Sequence, residues 1–282
     1  MVAGRTRTVP SGGGVGAFVE NVDLTRLRAP TANKLREALG EYGVLFFRDQ
    51  HLSPEQHIAV AEKFGDINVN RFFGHIDGYP KVAQVLKEPH HERNIGGGWH
   101  TDHSYDVLPA MGSILLAHET PSRGGDTLFA SMFRAYETLS DGIKQMLEGM
   151  NAEHSSRHVF GQGARARRGD IGDRIANYDA ALQDATHPVV VKHPISGKKS
   201  LYVNPGFTLR FEGWTDEESA PLLKMLYNHA SRPEHTYRFQ WAPGSIAFWD
   251  NRATWHYALN DYPGERRLMH RITVEGCGLE AA

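Results

Sequence analysis

Cysteine is almost absent from this sequence, since Cys277 is the only one among its 282 residues. A lone thiol cannot form a disulfide within the chain, so the composition favours a reducing compartment, and we expect a cytoplasmic protein. Long hydrophobic runs are missing too, because no stretch approaches the roughly 18 apolar residues that a membrane span requires. The stretch from Met1 to Gly14 lacks the apolar core of a signal peptide. A soluble protein without a membrane partner is therefore expected.

A large excess of charge of either sign is also absent. Lys and Arg number 31 and Asp and Glu number 33, which gives a formal net charge of -2. Nucleic acids and acidic membrane surfaces attract basic proteins, so this balance argues against both as the main partner. No glycine-rich phosphate-binding loop opens a helix, which leaves nucleotide chemistry without support. Histidine, in contrast, is abundant with 16 residues, and this count hints at metal chemistry.

Short β-rich segments separated by Gly and Pro dominate the sequence pattern. Such a pattern favours a sandwich or barrel over a βαβ fold. We predict a mainly β fold with flanking helices, namely a jelly roll (double-stranded β-helix, cupin-like). No repeat or linker divides the chain, so we predict one domain over residues 1–282. The predicted strands cover residues 44–48, 82–86, 113–118, 189–192, 201–203, 237–241, 245–249 and 270–275.

Two capping boxes predict the starts of helices. Ser53 can cap a helix whose third residue, Gln56, reaches back to it, and Gly65 is placed to close that helix. Thr215 and Glu218 form a second box ahead of a stretch that carries leucines at helical spacing. We therefore expect helices directly after Ser53 and after Thr215.

Residues 157–186 differ from the rest of the chain because they are polar, rich in glycine and locally basic. One interpretation is a solvated surface loop. The other is a mobile lid over the active site, since long loops in compact domains are often functional. The sequence leaves both interpretations open.

An H-x-D pattern at His100 and Asp102 is the first candidate for a metal site. Residues two apart on a strand point to the same face, so the imidazole and the carboxylate could bind one ion. The pattern is weak alone, and a second copy occurs at His75 and Asp77. A turn signal directly follows that second copy, so we interpret His75 as a decoy.

His256, far along the chain, strengthens the interpretation of the H-x-D pattern at His100 as a metal site. It lies in the segment W-D-N-R-A-T-W-H and is expected directly after a strand. Two histidines and one carboxylate on one face of an ion leave the other positions open, as in sites for non-haem Fe(II), whereas zinc more often takes a tetrahedral set. The alternative is that His256 is a buried histidine bonded to backbone.

A basic segment follows at residues 266–271. Arg267, Met269 and Arg271 share one face of a predicted strand, so two guanidinium groups would point the same way. Buried arginines are costly unless each meets an anion, and a guanidinium fork binds a carboxylate through two hydrogen bonds. Arg266 is the alternative in register and is expected to be solvated. On an exposed strand the same cluster would be only a charged edge.

With these motifs in place, the sequence resembles the taurine dioxygenase/2,4-D dioxygenase (TauD/TfdA) family of 2-oxoglutarate-dependent oxygenases. The resemblance covers the chain from about Gly14 to Gly276. The blocks that carry it are W-H-T-D at 99–102, G-G-D-T at 124–127, W-D-N-R at 249–252 with His256 after it, and R-R-L-M-H-R at 266–271.

This resemblance implies a fold, a reaction and a set of roles. Fe(II) would be bound by His100, Asp102 and His256, which would be the catalytic centre. Thr127 and Arg267 would hold the distal carboxylate of the co-substrate 2-oxoglutarate, and O₂ would be the second co-substrate. The implied reaction hydroxylates a small organic anion and releases succinate and CO₂.

Arg271 corresponds to the family position that binds the anionic group of the substrate. Taurine-specific relatives also hold the sulfonate with a histidine and a tyrosine, where this sequence has Asn70 and Phe73. Their amine-binding asparagine falls near Gly96, and a nearby serine falls near Val159. Two aromatic wall positions correspond to Phe160 and Phe207.

Loss of polar partners removes the reason to bind a zwitterion, because a buried ammonium group without acceptors is unfavourable. The stretch 154–161 is also similar to relatives that act on aryloxyalkanoates and alkyl sulfates. We therefore expect a sulfonate, a sulfate ester or an aryloxy or alkyl carboxylate, hydroxylated next to a heteroatom. The alternatives are a taurine dioxygenase proper and a metal-binding jelly roll without oxygenase activity. Dimers and tetramers are common in the family, so a homo-oligomer is expected.

Overall fold

The computed structural model describes residues 5–165, 169–175 and 177–282, and within these ranges the chain is mainly β with flanking helices, as predicted. The strands are β1 (Arg7–Pro10), β2 (Ala17–Glu20), β3 (Val44–Phe47), β4 (Ile67–Asn68), β5 (His75–Ile76), β6 (Tyr79–Lys87), β7 (Gly112–Glu119), β8 (Thr127–Ser131), β9 (Asn151–Ser155), β10 (Asp184–Pro188), β11 (Val190–Lys192), β12 (Lys199–Leu201), β13 (Thr208–Phe211), β14 (Thr236–Phe239), β15 (Ile246–Asp250), β16 (Thr254–Ala258), β17 (Arg267–Val274) and β18 (Glu280–Ala281). The α-helices are α1 (Ala29–Tyr42), α2 (Pro54–Ala61), α3 (Met132–Glu137), α4 (Asp141–Leu147), α5 (Arg157–Phe160), α6 (Gln162–Arg165) and α7 (Asp216–Ala230). Short 3-10 helices cover Leu24–Arg26, Gly169–Arg174, Tyr178–Ala180 and Pro233–His235.

The largest sheet has nine strands in the order β1-β2-β3-β15-β7-β17-β6-β5, and β4 pairs with the end of β17. Its neighbouring strands are antiparallel, except that β2 and β3 are parallel. Three smaller sheets have the orders β14-β8-β16, β10-β9-β13 and β12-β11-β18. In the middle of the large sheet β7 pairs with β15 and β17, so segments far apart in the chain meet there.

The two faces of the large sheet pack against different partners. Leu45 and Phe47 of β3 point to one face, where they join Leu39 of α1 in a buried cluster. Phe46 points to the opposite face and packs against Phe129 of β8, with ring centroids 5.6 Å apart. The sheet β14-β8-β16 therefore lies over this second face, as two sheets do in a sandwich. Burying one such Leu or Phe side chain stabilises the fold by roughly 1.5–3 kcal/mol.

Every predicted strand segment overlaps an observed strand, but several ends differ. The segment at 201–203 overlaps β12 only at Leu201, and the segment at 270–275 belongs to β17, which begins already at Arg267. The helix expected after Ser53 ends as an α-helix at Ala61 rather than continuing to Gly65. Element ends are the least certain part of a sequence-based assignment because local pairing decides them.

Within the described residues, no helix combines the length and the apolar character needed to cross a bilayer.

Both predicted capping boxes are present. Thr215 accepts a hydrogen bond from the backbone N–H of Glu218, whose side chain accepts one from the backbone of Thr215. The helix α7 that starts there also supports the site, because the Tyr227 hydroxyl donates to the Asn204 carbonyl. Asn204 in turn accepts hydrogen bonds from the next residues of its loop, which carries Phe207.

Replacing Thr215 by Ala should lower the free energy of unfolding by about 1 kcal/mol, because a backbone N–H at the start of α7 loses its partner. Ser140 is a matched control, since it caps α4 without a side-chain hydrogen bond to the helix. Urea unfolding of both variants checks this expectation. Equal losses in the two variants would contradict the role of the capping box.

Candidate active site

His100 and His256 are held together by backbone pairing. The His256 N–H donates to the His100 carbonyl at 2.9 Å, and the His100 N–H donates back at 3.2 Å, as an isolated antiparallel bridge. Two expectations were wrong here. His100 and Asp102 do not share a strand, because only His100 pairs and Asp102 lies in a bend, and His256 lies within β16 rather than after a strand. A single bridge to β16 is enough to place the two imidazoles side by side.

The three side chains predicted as metal ligands do converge. His100 Nε2 lies 3.7 Å from Asp102 Oδ1, and His256 Nε2 lies 3.6 Å from Asp102 Oδ2. One ligand atom of each residue lies within 4.8 Å of the others. The Nδ1 atom of His100 lies 2.8 Å from the Gly98 carbonyl, and a proton held there leaves Nε2 free as a ligand.

The electrostatic environment keeps Asp102 and His256 in the ionisation states that a cation requires. Burial alone raises the pKa of Asp102, but Arg271 and the neighbouring histidines outweigh it, and the pKa lies below its usual value. Burial, followed by the charge of His100, lowers the pKa of His256 well below its usual value. A carboxylate and a neutral imidazole are the ligand forms that bind a metal ion.

Asp102 Oδ2 shows that the arrangement fits an ion. It is buried and accepts no hydrogen bond of good geometry, although Arg271 Nη2 lies 3.0 Å away. Arg271 balances the charge of this carboxylate, but Oδ2 has no hydrogen-bond donor, so its lone pairs remain available to a metal ion. In the described part of the chain this trio is the one group of three such side chains close enough to share an ion. His75 and Asp77 are exposed and lie outside it, as expected of a decoy.

A buried network next to the trio holds the segment of His100 and Asp102 against the residues that precede β16. Asp250 accepts hydrogen bonds from Arg252 and pairs with His193 at 3.0 Å. The hydroxyl of Thr101, between the two candidate ligands, donates to the Asn251 carbonyl. The W-D-N-R block was noticed in the sequence, but its connection to Thr101 was not. That contact joins segments distant in the chain, so no local pattern could have revealed it.

Two glycines allow the backbone to come close to His100. A Cβ atom on Gly206 would lie 2.7 Å from the Cβ of His100. Gly96 has a φ of 81°, which favours glycine, and a Cβ there would lie 3.4 Å from the His100 ring. The backbone of both residues therefore forms part of the wall around the imidazole.

Arg267 has the environment of a receptor for an anion. It lies on the buried face of β17 together with Met269 and Arg271, as the alternation of the sequence predicted. Its Nε and Nη2 atoms are buried without a hydrogen-bond partner among the described residues. Burial lowers the pKa of Arg267, and the opposing effects of Tyr262 and Asp126 do not cancel it. A bound carboxylate would supply a compensating anion.

Thr127 stands at the start of β8 and lines the same cavity as Arg267. Its hydroxyl oxygen accepts a hydrogen bond from the indole N–H of Trp241 at 3.0 Å. The hydroxyl proton therefore remains available for an acceptor in the cavity. Arg266, one residue from Arg267, points away and pairs with Glu88 and Glu119 at the surface.

Arg271 lies deeper along β17 and next to the trio. Its Nε donates to Ser113 at 3.2 Å, and Nη2 lies near both Thr273 and Asp102. No partner is seen for Nη1 among the described residues, and Arg271 lines the cavity. One edge of the guanidinium is thus held by protein, and the other is left for a ligand.

The candidate metal ligands, Thr127 and the two buried arginines of β17 surround one cavity of about 490 Å³. The residues predicted to serve catalysis, co-substrate or substrate all line it: His100, Asp102, His256, Thr127, Arg267, Arg271, Asn70, Phe73, Val159, Phe160 and Phe207. Sequence analysis missed two aromatic residues of the same wall. Phe72 stacks on Phe160 at 4.3 Å, and Tyr105 meets Phe207 edge-on at 4.8 Å.

Parts of the segment 157–186 lie beside this cavity. Val159, Phe160 and Ile171 contribute to the lining, and Arg174 anchors the segment by donating to the Leu86 carbonyl. Residues 166–168 and 176 of the segment lie outside the described residues. Both interpretations of this segment, the mobile lid and the solvated surface loop, stay predictions.

Comparison with known proteins agrees with this geometry. The family model described as "Taurine catabolism dioxygenase TauD, TfdA family" matches residues 7–273. The chain belongs to the TauD, TfdA family. It is an α-ketoglutarate (2-oxoglutarate)-dependent dioxygenase, as the resemblance of its motifs implied.

The similarity to several known proteins extends over almost the whole chain. An alkylsulfatase of Acinetobacter baylyi is 34% identical, over 94% of this chain and 83% of its own. An alpha-ketoglutarate-dependent sulfate ester dioxygenase of Pseudomonas putida is 31% identical, over 95% and 88%. The crystal structure of a taurine dioxygenase from Burkholderia xenovorans is 35% identical, over 98% and 93%, with a TM-score of 0.82.

In this member of the TauD, TfdA family, four residues of the cavity affect which substrate can bind. Phe73 and Val159 present apolar side chains, and Gly96 presents none. The Asn70 side-chain oxygen accepts the backbone N–H groups of Phe72 and Phe73, both at 2.9 Å. That oxygen is therefore occupied and is a poor acceptor for a substrate ammonium group.

Proposed function

We propose that this enzyme uses Fe(II), 2-oxoglutarate and O₂ to hydroxylate a small organic anion next to a heteroatom. The observation that carries the proposal is one cavity that joins a two-histidine, one-carboxylate trio to a buried arginine without a hydrogen-bonded anion. A trio of this kind leaves coordination positions open for co-substrate and O₂. The unpaired arginine selects a co-substrate with a carboxylate at its far end.

His100 and His256 would bind Fe(II) through Nε2, and Asp102 would bind it through a carboxylate oxygen. The hydrogen bond between His100 and Gly98 fixes the orientation of that ring. The W-D-N-R network holds the loop that carries Asp102 through Thr101. Such outer contacts keep ligands in place while the other side of the ion exchanges its partners.

Arg267 and Thr127 would bind the distal carboxylate of 2-oxoglutarate. The guanidinium can donate from Nε and Nη2, and the Thr127 hydroxyl can add a third donor. Binding of this carboxylate would relieve the cost of an uncompensated buried charge. The co-substrate would thereby be held with its keto acid end toward the trio.

Arg271 would bind the anionic group of the substrate and place a neighbouring carbon beside the iron. With iron bound, 2-oxoglutarate and O₂ supply the oxidising chemistry, in which the keto acid becomes succinate and CO₂ and a substrate C–H becomes C–OH. The protein selects the carbon by position, because a fixed anion leaves few carbons within reach. The apolar wall of Phe160 and Phe207 excludes water from this region.

A sulfate ester, a sulfonate or an aryloxy or alkyl carboxylate is the proposed substrate class. The names of the Acinetobacter and Pseudomonas relatives support the sulfate ester within it. Hydroxylation next to the ester oxygen or sulfur gives an unstable adduct, which breaks down to an aldehyde or ketone and the free anion. The apolar residues Phe73 and Val159 also favour a substrate without an ammonium group.

A panel of alkyl sulfates, alkylsulfonates, aryloxy acids and taurine tests this proposal. We expect succinate formation that requires Fe(II) and rises with an alkyl sulfate or sulfonate well above the rate without substrate. A chelator added before iron is the control and should abolish the rate. Adding 2-oxoglutarate to the Fe(II) protein without O₂ should also give a visible charge-transfer colour, and a colourless, inactive protein would favour a metal-binding jelly roll that is not an oxygenase.

Taurine is the second candidate substrate because the Burkholderia structure named taurine dioxygenase is 35% identical to this chain. A preference for taurine over every other compound of the panel would establish it. That result would contradict the inference drawn from Asn70 and Val159.

Three further expectations stay predictions. They are a homo-oligomer, either a dimer or a tetramer, a location in the cytoplasm, and a single TauD/TfdA-type domain over residues 1–282. Light scattering of the purified enzyme measures its oligomeric state.

A further inference from the structure

Tyr105 has a hydroxyl group that the site described so far does not use. The residue lies in the segment that follows Asp102, is only 4% exposed and lines the active-site cavity. Phe72, Phe160 and Phe207 surround its ring. No hydrogen bond of the Tyr105 hydroxyl is seen among the described residues, so this polar group is the exception in an otherwise apolar wall.

Tyr105 lines the same cavity as the charged residues Arg271 and Asp102. Arg271 and Asp102 both act electrostatically on the phenol. Burial is the largest effect and raises the pKa of Tyr105, with Asp106 and Asp102 adding to it. The phenol therefore stays protonated across the physiological range and can serve as a hydrogen-bond donor. An anionic ligand in the cavity would supply an acceptor for this donor.

Two other donors face the same cavity from different parts of the fold. Arg271 on β17 has Nη1 without a partner among the described residues. Asn70 has its oxygen occupied by two backbone N–H groups, which leaves its side-chain NH₂ as the free end. Donors on three separate segments match an anion with three terminal oxygens better than a carboxylate, which has two.

We propose that Tyr105 is a specificity-determining residue that donates a hydrogen bond to the anionic group bound by Arg271. With Asn70 as the third donor, the cavity selects an SO₃-terminated group, as in a sulfate ester or sulfonate, over a carboxylate. This inference rests on the proposed function and narrows its substrate class. Taurine-specific relatives have a tyrosine at the position of Phe73. In this chain Tyr105, on a different segment, would supply the phenol instead.

Binding to the Tyr105→Phe variant tests the inference. The probes are hexyl sulfate, hexanesulfonate and hexanoate, titrated calorimetrically without O₂ into enzyme loaded with Fe(II) and 2-oxoglutarate. We expect the Kd of the two SO₃ probes to rise roughly ten- to a hundredfold, because a hydrogen bond to a charged acceptor is lost. The Kd of hexanoate should change less, so the preference for SO₃ over carboxylate should shrink.

Turnover gives a second readout. In the same variant KM for hexyl sulfate should rise more than kcat falls, as expected when binding is lost in ground state and transition state alike. Tyr202→Phe is the matched control, since Tyr202 is also buried with an unpartnered hydroxyl among the described residues but does not line the cavity. That control should bind all probes like the unmodified enzyme.

Unchanged Kd values in Tyr105→Phe would overturn the inference, and so would an equal loss in Tyr202→Phe. Neither result touches the proposed function, which is tested by the unmodified enzyme alone. If the unmodified enzyme formed no succinate with any probe, the proposed function would fail first. Thermal unfolding of both variants verifies that each is folded before binding is measured.

Discussion

Replacing His100 by Ala is expected to abolish both metal binding and substrate-dependent succinate formation. The change leaves one imidazole and one carboxylate, and His256 Nε2 and Asp102 then lack the third ligand that closes the face. Loss of a residue that only hydrogen-bonds to a metal ligand already lowers metal affinity or activity by about 10- to 100-fold. Loss of the ligand itself should exceed that range.

His75 provides the matched control for this substitution. It stands in the same H-x-D pattern, but it is exposed and lies outside the cavity. His75→Ala should bind Fe(II) and form succinate like the unmodified enzyme. Equilibrium titration with Fe(II) without O₂, followed by a succinate assay, measures both variants. Full turnover by folded His100→Ala would show that the trio is not the metal site.

Replacing Arg267 by Met should raise the KM for 2-oxoglutarate by roughly 30-fold or more, because truncating one partner of a buried charge pair costs about 2–5 kcal/mol. The stability of the protein without co-substrate should stay the same or increase. Arg267 is buried with two unpartnered nitrogens among the described residues, and an apolar side chain of similar length removes that uncompensated charge. Opposite effects on binding and stability distinguish a ligand-binding arginine from a structural one.

The neighbouring Arg266 is the control, since its ion pairs with Glu88 and Glu119 are at the surface. Surface pairs contribute little to stability, so Arg266→Met should change neither the KM for 2-oxoglutarate nor the melting temperature appreciably. Steady-state kinetics and thermal unfolding in the absence of co-substrate measure both variants. A large loss of stability in Arg267→Met with an unchanged KM would contradict the assignment.

The sequence by itself predicted the residue types and much of the local structure. The alternation of Arg267, Met269 and Arg271 follows from strand geometry, and it was right because one face of β17 is buried. The capping boxes at Ser53 and Thr215 were right for a similar reason, since a cap satisfies backbone groups only a few residues away. Interactions that close within one element can be inferred from a short stretch of sequence.

Only the tertiary structure decided how the candidate ligands meet and what surrounds them. His100 was expected on a strand with Asp102, yet it is positioned by a bridge to β16, a contact between distant segments. The roles of Thr101 in holding its loop and of Tyr105 in the cavity depend on sheets and loops packed together from far along the chain. Residue spacing carries no information on which strands pair or where a hydroxyl is left without a partner, because the whole fold must form before either is determined.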